Sequence, residues 1–139
     1  MSVEPDLCLY NMTLQRSSSL VASLIGNFEG NKSQQEVVRA TGSTIELWKL
    51  NSSTGKFYRV VVHDVFSIVR NVAKFRNTGS HQDYLIITSD SGNLTLVKYD
   101  KEKKDFVTLS NEPYYKTGTR RLSPGDYVAI DGKSRACMV

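Results

Sequence analysis

The sequence predicts an all-β fold, a WD40-like β-propeller of which this chain holds only the N-terminal portion: about two four-stranded antiparallel blades plus the start of a third. Three observations carry that expectation. The stretch Ile45-Glu-Leu-Trp-Lys-Leu50 returns 49 residues later as Leu94-Thr-Leu-Val-Lys-Tyr99, and at the same offset Val37, Val38, Lys49 and Phe57 meet Ile86, Ile87, Lys98 and Phe106. A repeat of roughly 40–50 residues built of short strands is the mark of a propeller blade, a unit that buries its core only against its neighbours. The apolar runs Val37-Val38, Val60–Val62 and Leu85–Ile87 are continuous instead of alternating, as in strands covered on both faces. Finally, 139 residues cannot close a ring of this repeat, since even four blades need roughly 180, and the apolar ending Ala136–Val139 fits a chain that continues.

The elements follow in order. Leu7–Gln15 reads as a strand by alternation, broken by Ser17–Ser19. Leu20–Ile25 is apolar and stops at Gly26-Asn27, and polar Glu29–Gln34 is a loop. Val37–Ala40, Thr44–Leu50 and Phe57–Val62 are strands, joined by a turn at Thr41–Ser43 and a five-residue hairpin loop at Asn51–Gly55. The second unit repeats this with Val65–Phe75, Tyr84–Ser89, Leu94–Tyr99 and an outer strand Phe106–Leu109, the last two separated by the charged tip Asp100–Asp105. Val65, Ile68, Val69, Val72 and Phe75 also fit a helical stripe. Their β-branching, and their place in the slot that Leu20–Ile25 fills in the first unit, favour a strand. A connection from Ser110 to Asp126 leads to Tyr127–Ile130 and Arg135–Val139. The resulting organisation is residues 7–16 as a candidate ring-closing strand, 20–62 as blade one, 65–109 as blade two and 127–139 as the start of blade three.

Composition is that of an ordinary globular chain, 40% apolar and 23% charged, with a formal net charge of +4. The basic residues are scattered. The one dense run, Lys101-Glu-Lys-Lys104, reads as a solvated hairpin tip. Cys8 and Cys137 lie at opposite ends and form neither a metal-ligand spacing nor a disulfide framework. Acids in Met1–Asp6 argue against a secretory leader, and no stretch approaches the ~20 apolar residues of a spanning helix. The expectation is an intracellular protein whose sequons at Asn11, Asn31, Asn51 and Asn93 are turn and strand residues.

Catalytic and ligand-binding motifs are expected to be absent. His63-Asp64 has serines nearby but no nucleophile elbow, and reads as a strand end with a capping Asp. His81 falls in a polar surface loop. Asp90-Ser-Gly92 lacks the alternating acids of a calcium loop and reads as a β-turn with Asp initiating. Asn51–Lys56 ends in Ser-Thr-Gly-Lys but lacks the leading glycine and joins two strands, so it is no phosphate loop. Trp48 is expected to pack in the core between blades. No catalytic, cofactor-binding or metal residue is assigned. An open arc of about two blades is also expected to be poorly soluble or oligomeric in isolation, because its end faces are uncovered.

One ordered set of residues is more specific. Leu9-Tyr-Asn-Met-Thr-Leu-Gln-Arg16, Ile25-Gly-Asn-Phe28, Asp83-Tyr84, Thr88-Ser-Asp-Ser-Gly92, Gly118-Thr-Arg-Arg121, Pro124-Gly125, Asp131-Gly132 and Arg135-Ala136 together resemble the splicing factor 3B subunit 3 family. The wider family includes damaged-DNA-binding protein 1 and the large subunit of the cleavage and polyadenylation specificity factor. The chain departs at Asp131-Gly-Lys-Ser134, where the family tends to have Asp-Pro-Lys-Gly, and along Ser110–Lys116. The resemblance implies a nuclear, non-enzymatic propeller scaffold of the U2 small nuclear ribonucleoprotein (snRNP), active in branch-site recognition and pre-mRNA splicing. It implies as partners the other splicing factor 3B subunits, including the HEAT-repeat subunit, with weak or indirect RNA contact, no membrane and no small-molecule substrate. The alternative is a related adaptor in ubiquitin ligation and DNA repair or in mRNA 3′-end processing. Tyr114, Tyr115, Lys116, Arg120 and Arg121, where basic and aromatic groups interleave, are the candidate contact for RNA or a partner.

Overall fold

A computed structural model describes residues 10, 12, 14, 18–115 and 125–139. Within them the chain forms two four-stranded antiparallel sheets and one short two-stranded ribbon. Blade one is β1 (Leu20–Gly26), β2 (Glu36–Thr41), β3 (Thr44–Asn51) and β4 (Lys56–Asp64). Blade two is β5 (Val69–Arg76), β6 (Asp83–Ser89), β7 (Asn93–Asp100) and β8 (Asp105–Pro113). Each sheet is a simple meander, with strands neighbouring in space in the order they follow in the chain. β9 (Ala129–Ile130) and β10 (Cys137–Met138) pair antiparallel beyond blade two.

The two blades match in irregularities as well as in order. The outer strand of each steps out of register once, leaving Val60 unpaired opposite Leu47/Trp48 and Leu109 unpaired opposite Leu96/Val97. The inner strands do likewise at Val21 and Arg70. A bulge in an antiparallel pair bends the strand and raises its twist. Val60 and Leu109, like Val21 and Arg70, stand at the same offset as the sequence repeat, so the recurrence is of shape as well as of apolar residues.

One core serves both sheets. From blade one come Phe28, Val38, Ala40, Ile45 and Leu47. From blade two come Val69, Val72, Leu85, Ile87, Val97, Tyr99 and Phe106. Strand geometry sends alternate side chains to opposite faces, so Val38 and Ala40 on β2, and Ile45 and Leu47 on β3, point at blade two. Tyr99 and Phe106 meet edge to face at 5.6 Å. Burial of this kind stabilises by roughly 25 cal/mol per Å² of apolar surface. Neither sheet has that burial alone.

The structure corrects the sequence reading in several places. Residues 65–68 are a connection and β5 starts only at Val69, because Asp64 Oδ1 accepts the Phe66 N–H at 2.9 Å and turns the chain there. β8 does not stop at Leu109 but runs through Ser110 to Pro113. It is an outer strand, so its polar residues face solvent and a terminal Pro gives up no needed donor. Continuous burial holds for Leu85–Ile87, but Val37 and Val60–Val62 are only half-buried. On the far face of blade one Ser18 borders an open cleft over Arg39, Glu46 and Trp48, whereas Gly125 and Asp126 reach the far face of blade two. There Thr88 Oγ1 donates to the Gly125 carbonyl at 2.7 Å and Asn71 Nδ2 to that of Asp126 at 2.8 Å. The ring-closing strand expected at residues 7–16 lies outside the described residues except for Tyr10, Met12 and Leu14.

Candidate functional site

Among the described residues the most elaborate polar construction is the junction of the two blades around the loop Asn27–Glu29. Phe28 is fully buried there. Its N–H donates to Glu36 Oε2 at 2.8 Å, as does that of Glu29 at 3.3 Å, so the start of β2 holds the loop from within blade one. Blade two holds it from the other side: Asp83 Oδ2 accepts the Asn27 N–H at 2.7 Å, and the Asp83 N–H donates to the Asn27 carbonyl at 2.8 Å. Gln82 Nε2 donates to the carbonyls of Phe28 (2.7 Å) and Tyr99 (2.6 Å). Gly26 is required by close approach, since a Cβ there would stand 2.8 Å from both Asp83 Oδ2 and the Phe28 ring.

The charges are arranged to suit. Arg76 grips Asp83 through Nε and Nη2 at 2.7 and 2.9 Å. Burial pushes the Asp83 carboxyl up, but the Arg76 fork, the Asn27 N–H and the nearby Lys74 charge outweigh it and hold it below its usual range. Glu36 goes the other way: burial raises it, and the two backbone N–H groups offset only part of that. Glu29 pairs with Lys49 at 2.5 Å. This junction is a lock between sheets. Both carboxylates accept from backbone N–H groups, an arrangement that fixes the loop.

The motifs weighed for chemistry are placed as follows. His63 Nδ1 lies 3.0 Å from Asp105 Oδ1, and its ring meets Phe106 edge-on, so it braces β4 of one blade against the tip of β8 in the other. Asp90 is the second residue of its turn, not the first: the Gly92 N–H donates to the Ser89 carbonyl at 3.1 Å, and Asp90 Oδ1 accepts from Ile68 N–H at 2.9 Å. Trp48 is not in the core. It follows Leu47 on β3 and so points to the far face of blade one. There Nε1 donates to Glu46 Oε2 at 2.9 Å and the ring lies 5.4 Å from the Arg39 guanidinium. Among the described residues no group of three or more His, Cys, Asp or Glu is placed to hold a metal ion, and no helix is long and apolar enough to cross a membrane.

Of the candidate contact residues, Tyr114 and Tyr115 are described, whereas Lys116, Arg120 and Arg121 lie outside the described residues. Tyr114 is folded back on blade two, with its hydroxyl donating to the Ser89 carbonyl at 3.2 Å and its N–H to that of Gly92 at 3.0 Å. Burial pushes its phenol up. Tyr115 is half-buried, and its Cβ would stand 2.8 Å from a side chain at Gly92. Sequence reasoning missed Glu36, Gln82 and Arg76. The signal available was the acid at the head of the second strand in both units.

Comparison with known proteins agrees with this architecture. The family described as the RSE1/DDB1/CPSF1 first beta-propeller matches residues 19–139. The chain is 44% identical over 140 residues to the pre-mRNA-splicing factor RSE1 of Debaryomyces hansenii, covering 100% of this chain and 11% of that protein. It is 40% identical over 139 residues to the pre-mRNA-splicing factor prp12 of Schizosaccharomyces pombe, again with 100% and 11% covered. To splicing factor 3B subunit 3 of Danio rerio it is 40% identical over 131 residues, covering 94% of this chain and 11% of the relative. The chain thus spans about a ninth of these relatives. Repeat, paired meanders, shared core and family match converge: the chain belongs to the RSE1/DDB1/CPSF1 first-propeller family.

Proposed function

We propose that this chain forms part of a non-enzymatic protein-interaction scaffold of the pre-mRNA splicing machinery. The observation that carries the reading is identity of 40% or more to three proteins named as splicing factors, along all or nearly all of the chain. The geometry supports it. The buried polar groups of the blade junction are spent on fixing loops, which suits a rigid platform that other proteins read from outside. The proposed partners are the other splicing factor 3B subunits, including the HEAT-repeat subunit, within the U2 snRNP in the nucleus. The proposed role is support of branch-site recognition. The adaptor reading in ubiquitin ligation or 3′-end processing has the wider family name behind it, and the test must separate the two. Affinity purification of the tagged protein from nuclear extract should bring down U2 RNA and splicing factor 3B subunits in stoichiometric amounts. Recovery of a cullin or of polyadenylation factors in their place would overturn the proposal.

The contact proposed for residues 114–121 is narrower. With Tyr114 engaged on blade two, RNA or partner binding would rest on Lys116, Arg120 and Arg121, with Tyr115 beside them. If the contact is to RNA, Arg120→Ala with Arg121→Ala lowers the slope of log affinity against log salt by about 1.4, at ~0.7 per single-strand phosphate contact. An unchanged slope rejects it.

A further inference from the structure

Phe66 is 91% exposed, more than any other large apolar side chain among the described residues, and its backbone is left-handed at φ 60°. A bulky residue with that φ is an outlier, and such conformations persist only where the surroundings over-determine them. Here they do. The connection 64–68 is pinned by Val65 N–H to the Ser43 carbonyl (2.8 Å), Val69 N–H to the Gly42 carbonyl (2.8 Å), and a reciprocal pair between Ile68 and Asp90 (both 2.9 Å). Asp64 Oδ1 fixes the Phe66 N–H itself at 2.9 Å. The ring is therefore held out by a rigid frame.

Beside it lies an open cleft of about 560 Å³, lined by the hydroxyls of Ser43, Ser67 and Ser91 and the carboxylates of Asp64 and Asp90, with Ile68, itself 55% exposed, at its edge. No Lys or Arg lines it, in a chain of net charge +4. The surface thus joins an aromatic anchor to a rim of acceptors. We propose that it docks a segment of another protein, one that offers an apolar pocket to Phe66 and a Lys or Arg to Asp64 and Asp90. Anchors of this type dominate interface energetics, and a preformed loop avoids the cost of ordering. The two carboxylates select a basic partner and set its register, and they disfavour a phosphate backbone.

The inference does not depend on which assembly the protein serves. A basic segment from a protein outside splicing would sustain it while removing the reading above. Its test is to place photoreactive p-benzoylphenylalanine at position 66 of the protein as the cell makes it, irradiate, and sequence the cross-linked peptide by mass spectrometry. The expected product is a peptide of a different polypeptide, with Lys or Arg next to apolar residues. Its yield should fall about tenfold in Asp64→Asn/Asp90→Asn, the effect of one lost charge pair. Asn keeps the acceptor for each backbone N–H, so the loop survives that change. Binding of the identified peptide should weaken about 30-fold with Phe66→Ala. Cross-links confined to the protein's own chain or to RNA, none above background, or a yield unmoved by the double substitution would overturn the proposal.

Discussion

Each blade begins its second strand on a buried carboxylate, Glu36 in blade one and Asp83 in blade two, and the two are supported in different ways. Asp83 is fully satisfied: both oxygens meet Arg76 and one also takes the Asn27 N–H. Glu36 satisfies one oxygen with two backbone N–H groups, while Oε1 is buried with no hydrogen-bond partner among the described residues. Both grip the same loop, Asn27–Glu29, one from inside its blade and one from the next. The difference teaches where a charge is tolerated. The carboxylate that crosses between blades carries a counter-charge, and the one that stays within its blade relies on backbone dipoles and is pushed toward its neutral form.

The largest effect comes from removing what both groups hold. Phe28→Ala empties a fully buried site between the sheets and should cost about 3–5 kcal/mol in urea unfolding of the intact propeller. The Asn27 and Phe28 amides should then exchange with solvent well before those of β1. A loss under about 1 kcal/mol would mean that the loop does not need its ring.

Next is Asp83→Ala. Breaking a fully buried ion pair costs about 3–5 kcal/mol, but the Arg76 side chain is 47% exposed, so about 2 kcal/mol at neutral pH is expected after allowing for solvent screening. The sign with pH follows from the depressed carboxyl. Its contribution is complete above the ordinary value of 3.8 and disappears as pH falls through the lower folded value. Wild type and variant should therefore converge in acid. A pH-independent difference would assign the loss to packing alone.

Glu36→Gln sharpens the comparison by reversing the sign. A raised carboxyl costs stability above its folded value, and the cost fades as pH falls below the ordinary 4.5. The amide keeps an acceptor for the Phe28 and Glu29 N–H groups and removes the charge. The variant should be more stable by about 0.5 kcal/mol at pH 7, with its advantage gone near pH 4. Loss of stability at neutral pH would show that Glu36 is held as a satisfied anion.

What the sequence made legible was what repeats in kind. Val38 and Ile45 recur as Ile87 and Leu94, strand-forming apolar residues, and the meanders follow from them. The junction is hidden because its members contact across intervals no local pattern spans: Phe28 stands alone between Gly26-Asn27 and the polar loop Glu29–Gln34, and Asp83 reads as the edge of a strand. Trp48 was misplaced for a simpler reason. It directly follows Leu47, and adjacent strand residues face opposite ways, so with Leu47 turned to blade two the Trp48 ring takes the far face, half-buried beside Glu46 and Arg39. Ser110–Pro113 looked like a connection because an outer strand needs no apolar run. The surface at Phe66 gave no signal, since a left-handed backbone is not written in residue type when the residue is not Gly.

The smallest contrast lies at the two hairpin tips. Gly55 and Lys104 occupy the same place at the repeat offset, each the last residue before an outer strand, and both are left-handed, with φ 66° and 52°. Gly takes that conformation without a steric cost, while a residue with a Cβ gives up about 1–2 kcal/mol. Against this, Gly gains freedom in the unfolded chain worth about 0.4–1 kcal/mol. Lys104 is exposed and no ion pair or hydrogen bond of its side chain is seen among the described residues, so Lys104→Gly should leave a net gain of about 0.5 kcal/mol. Gly55→Lys, the reverse change in the other blade, should lose a similar amount. Equal and opposite shifts in the unfolding midpoint would show the blades to be interchangeable at their tips while they differ at their junction. Two shifts of the same sign would mean that the charged run Lys101–Lys104, and not the backbone, decides that hairpin.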